Sequence, residues 1–260
     1  MNLDLNGKTA VVCGSTQGIG WACAKELANM GARVILFARD ETKLKECLKL
    51  LPHQENQHSY LLADFAHPNA VENTIREFAK NNKAQILINN TGGPNPGLAI
   101  DSDVDAFRQA FNSHLICNHL IATALVQGMK DSGYGRIINI ISTSVKQPLP
   151  NLGVSNTIRG AVASWSKTLA GELGRFNITV NNVLPGATST GRLEQIIKNK
   201  AAKVQKDVTD IQHEMSEEVP MKRLASPDEI ANAVAFLASP AASYINGINL
   251  PVDGGRTLCL

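Results

Sequence analysis

The chain has 260 residues, 43% of them hydrophobic and 18% charged, with a formal net charge of +2. That length holds one large α/β domain or two small ones, and the composition supports a sizeable core rather than disorder. The balanced charge argues against a nucleic-acid or membrane-surface protein. Five scattered cysteines without a Cys-x-x-Cys pair suit reduced thiols and offer no metal site. With no signal-peptide core at the start and no apolar run long enough for a bilayer, the expectation is a soluble, cytoplasmic protein.

Residues 9–13 read as a short apolar strand. A glycine-rich turn and a helix from near Gly18 follow, and the helix stops at Gly31, a favourable C-terminal glycine. Arg33–Ala38 is an almost unbroken apolar run, the pattern of a strand buried on both faces. Residues 41–51 have helical spacing. A third strand over 60–63 is closed by Asp64, and Pro68 opens a helix to about residue 80. Ile86–Asn89 is a fourth strand, leading through loop 90–97 to a long helix over 104–130 and a fifth strand over 136–141. A helix over 154–175, a sixth strand over 179–184 and Pro185-Gly186 come next. The stretch 187–219 loosens into a mobile, partly helical segment before a helix at Pro227–Ala238 and a last strand over 248–252. Such alternation predicts a single Rossmann-type, doubly wound α/β domain over residues 1–260, a seven-stranded parallel sheet with helices on both faces.

In the first turn, Gly14-Ser15-Thr16-Gln17-Gly18-Ile19-Gly20, glycines stand where the chain turns sharply, where backbone must approach a ligand and where the helix packs on the strand. Free N–H groups and the positive end of the helix dipole favour a phosphate there. An ordinary tight strand-to-helix turn is the plainer alternative. The spacing is Gly-x-x-x-Gly-x-Gly, not the commoner Gly-x-Gly-x-x-Gly.

Four motifs in order, Cys13 to Gly20, Asn89-Asn90-Thr91-Gly92, Pro185-Gly186 and Val252-Asp253-Gly254-Gly255, resemble those of the short-chain dehydrogenase/reductase family over essentially the whole chain. Pro220-Met221-Lys222-Arg223-Leu224-Ala225 brings the chain nearest to its 3-oxoacyl-(acyl carrier protein) reductase-like members. The resemblance implies an oxidoreductase that binds NAD(P)(H) and moves a hydride between it and a carbonyl or alcohol, on a small molecule or an acyl thioester. It implies cofactor contacts from Gly14, Ser15, Thr16, Gln17, Gly18, Ile19, Gly20, Asn90, Gly92, Pro185, Gly186 and Thr188. Asp64 falls where the family contacts the adenine amino group, and also reads as a cap for the helix that Pro68 opens. Ala38 holds the place of the acidic residue that selects NAD, and Arg39 follows it. A guanidinium there grips a 2′-phosphate, so NADP(H) is expected over NAD(H), with Asp40 as a possible shield.

The family's chemistry uses a tyrosine and, four residues on, a lysine that lowers its pKa, with an upstream serine on the substrate oxygen and an asparagine on the long helix. Ser142 fits the serine. The tyrosine place holds Ser155, the lysine place Arg159 and the asparagine place His114. A serine hydroxyl is a far weaker acid than a phenol and arginine does not release its proton, so the pair cannot repeat the relay. His114, with an ordinary pKa near ~6.5, is then the candidate proton donor. A histidine merely hydrogen-bonded to its surroundings is the alternative. Lys146 and Arg159 read either as site residues or as solvated side chains.

Residues 190–218 fall where the family has its substrate lid. Lys198, Lys200, Lys203 and Lys206 make it basic, for an anionic partner or as a solvated face. Ala122, Ala124, Leu125, Ala161, Val162 and Trp165 spread apolar surface around two helices that pair across a two-fold axis in the family, which implies a homotetramer, with a dimer next. Two functions fit: an NADP(H)-dependent oxidoreductase with an altered acid, or a cofactor-binding partner subunit or regulator without turnover.

Overall fold

The computed structural model describes residues 1–259. Seven strands, β1 (Thr9–Cys13), β2 (Arg33–Ala38), β3 (Ser59–Leu62), β4 (Ile86–Asn89), β5 (Gly135–Ile140), β6 (Ile178–Pro185) and β7 (Asn249–Val252), form one sheet in the order β3-β2-β1-β4-β5-β6-β7. Every pairing is parallel. The helices between them are α1 (Gly18–Asn29), α2 (Glu41–Leu50), α3 (Pro68–Asn81), α4 (Val104–Phe111), α5 (Cys117–Asp131), α6 (Gly153–Leu173), α7 (Gly191–Val204), α8 (Val208–Glu217) and α9 (Pro227–Ala238).

The Val- and Ile-rich central strands are buried on both faces because helices cover both. Leu27 of α1 and Ile230 and Val234 of α9 pack over Val12, Leu36 and Ile88. On the other side Ile75 of α3, Ile121 and Leu125 of α5 and Ala170 of α6 pack over Val11, Ile35, Leu87 and Ile137. This is the doubly wound sheet that the alternation predicts. The chain winds outward from β1 to β3 and returns to β4, so the order reverses between β1 and β4, and the crevice above their C-terminal ends is where such folds bind ligands.

A row of asparagines fixes the register on that side of the crevice. Asn89 Nδ2 donates to Asn139 Oδ1 at 2.8 Å, Asn139 Nδ2 to Asn182 Oδ1 at 2.9 Å, and Asn182 Nδ2 to Asn249 Oδ1 at 2.8 Å. These residues are register partners across β4, β5, β6 and β7. Buried amides left without partners cost about 1–3 kcal/mol each, so the row holds the strand ends, and the loops beyond them, in one alignment.

Two stretches differ from expectation. The predicted continuous helix over 104–130 is broken by a π-helical turn, Asn112–Ile116, between α4 and α5. Such a turn inserts one residue and re-aims its side chains, and at His114 it turns the imidazole inward. The segment predicted as loose, 187–219, forms the helical pair α7 and α8. Ile197, Ala201 and Ile211 close a small core between them, and Thr190 caps α7 by accepting from Leu193 N at 3.3 Å. Two of its lysines, Lys200 and Lys206, share one acidic partner, Glu214. No helix of the described residues is long and apolar enough to cross a membrane.

Candidate active site

At the tip of β1, Gly14 N donates to Phe37 O at 2.8 Å and Phe37 N donates to the buried Ser15 Oγ at 3.0 Å, which ties the glycine turn to β2. The glycines are there for lack of room. A Cβ on Gly14 would collide with Asn90 O and stand 2.9 Å from Asn90 Nδ2, and one on Gly20 would collide with Gly14 O. Asn90 Nδ2 in turn donates to Gly14 O at 3.3 Å, so the turn and the loop after β4 brace each other. Helix α1 starts at Gly18 behind Gln17, which gives no side-chain cap, and its first turn carries no acidic residue. Its free N–H groups are thus left for an anion. Thr190 lies across the turn, with Cγ2 3.3 Å from the Cβ position of Gly18. On the far side Thr188 is buried, its Oγ1 donating to Gly186 O at 3.1 Å, and Gly186 packs against Asp253.

Near the end of β2, the expected role of Asp40 and the alternative reading of Asp64 as a cap are both corrected. Asp40 does not shield Arg39. It caps α2, accepting from Lys43 N at 3.1 Å, and pairs with Lys43. Asp64 does not cap α3, whose N-cap is His67. It accepts from Ala66 N at 3.0 Å and pairs with Arg39 at 3.5 Å. Arg39 remains 75% exposed, so its guanidinium is still free to meet a ligand above the sheet.

Of the four catalytic places, His114 and Arg159 meet the loop after β4, at Thr91 and Gly93 respectively. Ser142 caps the short turn Thr143–Val145, accepting from Ser144 N at 3.1 Å. Ser155 is half-buried in the first turn of α6, with Arg159 one turn further on. Arg159 is no surface arginine: it is 8% exposed, and its Nη1 donates to Ile140 O at 3.2 Å. Burial, and then the charge of Arg192, lower its pKa to about 10, which leaves it charged at neutral pH.

His114 is buried and hydrogen-bonded through Nδ1 to Thr91 Oγ1. Burial, then the charges of Arg159 and Arg192, push its pKa down to about 2. The expected acid with an ordinary pKa is therefore a neutral imidazole at physiological pH. No tyrosine takes its place: Tyr60 donates to Glu41, Tyr134 donates to Ala238 O at 2.6 Å, and Tyr244 is fully exposed. Lys146 is half-buried beyond the Thr143–Val145 turn.

Two residues of this cluster were not named from the sequence. Thr91 occupies the alanine place of the Asn-Asn-Ala-Gly motif and holds His114. Arg192, in the first turn of α7, donates Nη2 to Pro94 O at 2.7 Å and so joins α7 to the loop after β4. A signal for it existed: an arginine in a helix's first turn opposes the macrodipole and needs a tertiary reason.

Among the described residues no group of three metal-ligating side chains comes together. Burial pushes the thiols of Cys13 in β1 and Cys23 in α1 far up, and that of Cys117 in α5 to about 12, so all three stay protonated near neutral pH.

The family described as enoyl-(acyl carrier protein) reductase matches residues 14–257. A 3-oxoacyl-[acyl-carrier-protein] reductase of Rickettsia felis is 32% identical over 259 residues, covering 98% of this chain and 99% of its own. The structure of L-sorbose reductase from Gluconobacter frateurii, complexed with NADPH and L-sorbose, superposes with a TM-score of 0.94 at 32% identity over 100% of both chains. A short-chain dehydrogenase/reductase family protein superposes with a TM-score of 0.84 at 31% identity over 98% of this chain and 99% of that one. With the sheet order, the glycine turn braced by Asn90 and full-length similarity all agreeing, this chain belongs to the short-chain dehydrogenase/reductase family.

Proposed function

We propose that this protein is an NADP(H)-dependent oxidoreductase that reduces a carbonyl, or oxidises the matching alcohol, without a tyrosine–lysine relay. The observation that carries the reading is the glycine turn, closed on Asn90 and open at the uncapped start of α1, a shape that suits the phosphates of a dinucleotide. The relative solved with NADPH supports the choice of cofactor. Gly14 to Gly20, with Asn90, Gly92, Pro185, Gly186 and Thr188, would hold the dinucleotide, Arg39 its 2′-phosphate and Asp64 the adenine. When bound, the nicotinamide supplies or accepts the hydride.

The chain's own residues then have these tasks. Ser142 and Ser155 donate hydrogen bonds to the substrate oxygen. Arg159 adds a permanent positive charge that stabilises negative charge developing there, the largest kind of contribution available in a dry cleft. Thr91 fixes the His114 ring. Neither Arg159 nor His114 gives up a proton near neutrality, so water supplies it, and turnover of a plain ketone is slow. The lid α7–α8 covers the substrate, a 3-oxoacyl-like carbonyl compound in the first instance. The protein works in the cytoplasm as a homotetramer paired through α5 and α6.

The neutral, buried His114 favours a second reading, a cofactor-binding partner subunit or regulator without turnover. Fluorescence titration with NADPH and NADH tests what both readings share. Tighter NADPH is expected, and no binding of either contradicts both.

A further inference from the structure

Arg159 and Arg192 reach the same spot from different parts of the chain. Arg159 stands in the second turn of α6 and Arg192 in the first turn of α7, yet their Nη2 atoms lie 3.6 and 3.4 Å from the point where a Cβ on Gly93 would stand. A side chain at position 93 would fill the space between them. Neither guanidinium has an aspartate or glutamate partner among the described residues; each makes one hydrogen bond, to Ile140 O and to Pro94 O respectively. Most of their donors are thus uncommitted, although Arg159 is 8% exposed.

An arrangement of this sort is costly without a ligand. Two like charges converge on one point, the Arg159 guanidinium is buried there while that of Arg192 is exposed, and Arg192 stands at the positive end of a helix. Desolvation lowers the pKa of both arginines, and the neighbouring charge of Arg192 lowers that of Arg159 further. One anion seated at Gly93 relieves that repulsion, and a planar carboxylate matches the guanidinium fork with paired hydrogen bonds. Neutral His114 adds no competing charge.

We propose that Arg159, Arg192 and the open backbone at Gly93 form an anion-binding subsite within the catalytic cleft, and that the substrate is a short-chain oxo acid, or its hydroxy acid, held by its carboxylate. This rests on the oxidoreductase reading and narrows it, since an uncharged carbonyl compound would leave the pair unsatisfied. Because Arg192 belongs to the lid, the carboxylate also bridges the lid to the loop after β4.

A phosphate of the cofactor is the other source of such an anion, and calorimetry separates the two. Pyruvate and methyl pyruvate, which share the oxo group and differ in charge, are titrated into the protein with and without saturating NADP⁺. NADP⁺ is titrated separately. Pyruvate should bind about tenfold to a hundredfold tighter than its ester, the worth of charge-assisted hydrogen bonds. Arg192→Gln should remove that difference while leaving NADP⁺ affinity unchanged, and Arg192→Lys should keep part of it. Normal NADP⁺ binding with pyruvate no tighter than its ester, or not bound at all, overturns the subsite. Weaker NADP⁺ binding in Arg192→Gln with the preference for pyruvate intact assigns the anion to the cofactor and overturns it too. Failure to bind NADP⁺ counts instead against the proposed function, which this titration reads independently of pyruvate.

Discussion

His114 and Thr91 are hydrogen-bonded, Nδ1 to Oγ1, in the wall of the cleft, where burial and then the charges of Arg159 and Arg192 hold the imidazole in its neutral form. Its pKa is about 2 in the folded protein against an ordinary value near 6.5. As pH falls below about 6.5 the unfolded chain takes up a proton there and the folded chain does not. The stability is therefore complete above that pH and is lost progressively toward pH 2. Between about pH 7 and about pH 5 the loss from this one group should approach 2 kcal/mol. Urea unfolding of the parent and of His114→Asn at the two pH values checks this. The variant should show the smaller change, and an identical change in both would remove His114 from the account.

The proposed grip of Arg39 on the 2′-phosphate makes cofactor choice testable. NADPH should bind more tightly than NADH in the parent, and Arg39→Ala should erase the gap, about tenfold or more for a charge-assisted contact to phosphate. Because Asp64 pairs with Arg39, Asp64→Asn should leave the preference for NADPH in place. Equal affinities in the parent, read by quenching or enhancement of cofactor fluorescence, would contradict the assignment.

The altered relay predicts a slow enzyme. Loss of general acid catalysis removes about 10²–10⁴-fold in rate. Ser155→Tyr combined with Arg159→Lys should raise turnover of a generic 3-oxoacyl thioester, since the two positions lie one helical turn apart on α6, a spacing that puts them on the same side of the helix. Steady-state NADPH consumption measures it. A parent that already reduces this thioester at an ordinary enzyme rate would mean that another acid acts, and His114→Ala then decides whether it is His114.

Assembly offers a smaller apolar face than the sequence suggests. Ala122, Leu125 and Val162 lie in the core, which leaves Ala124, Ala161 and Trp165 half-exposed, with Trp165 edge-on to His119. Light scattering should still return a tetramer at micromolar concentration, and Trp165→Glu should lower the mass. A monomeric parent would refute the pairing of α5 and α6.

The sheet and the glycine turn were legible because their causes are local. Unbroken Val and Ile runs mark strands buried on both faces, and glycines mark the places where Gly14 and Gly20 have no room for a Cβ. The catalytic cluster was only half legible. Spacing located Ser142, Ser155, Arg159 and His114, but not the burial of Arg159 or the neutral state of His114, because burial, the main cause of the His114 shift, is set by packing that brings distant segments together only after folding. A π-helical turn leaves no periodic trace, so 112–116 read as plain helix. The lid read as loose because α7 and α8 carry few apolar residues and bury them only against each other. Asp40 read as a shield for a simpler reason: it lies three residues before Lys43, the spacing of an N-cap, and that signal is easily passed over beside Arg39.

The central claim is that a hydride crosses this cleft, and isotope transfer tests it most directly. NADPH doubly deuterated at the nicotinamide C4 is incubated with excess protein and a short-chain oxo acid, and the product is read by mass spectrometry. The account predicts the hydroxy acid with one deuterium on its carbinol carbon, formed even if slowly. Cofactor that binds yet stays reduced, with no labelled alcohol from any carbonyl compound offered, would contradict it and leave a binding protein.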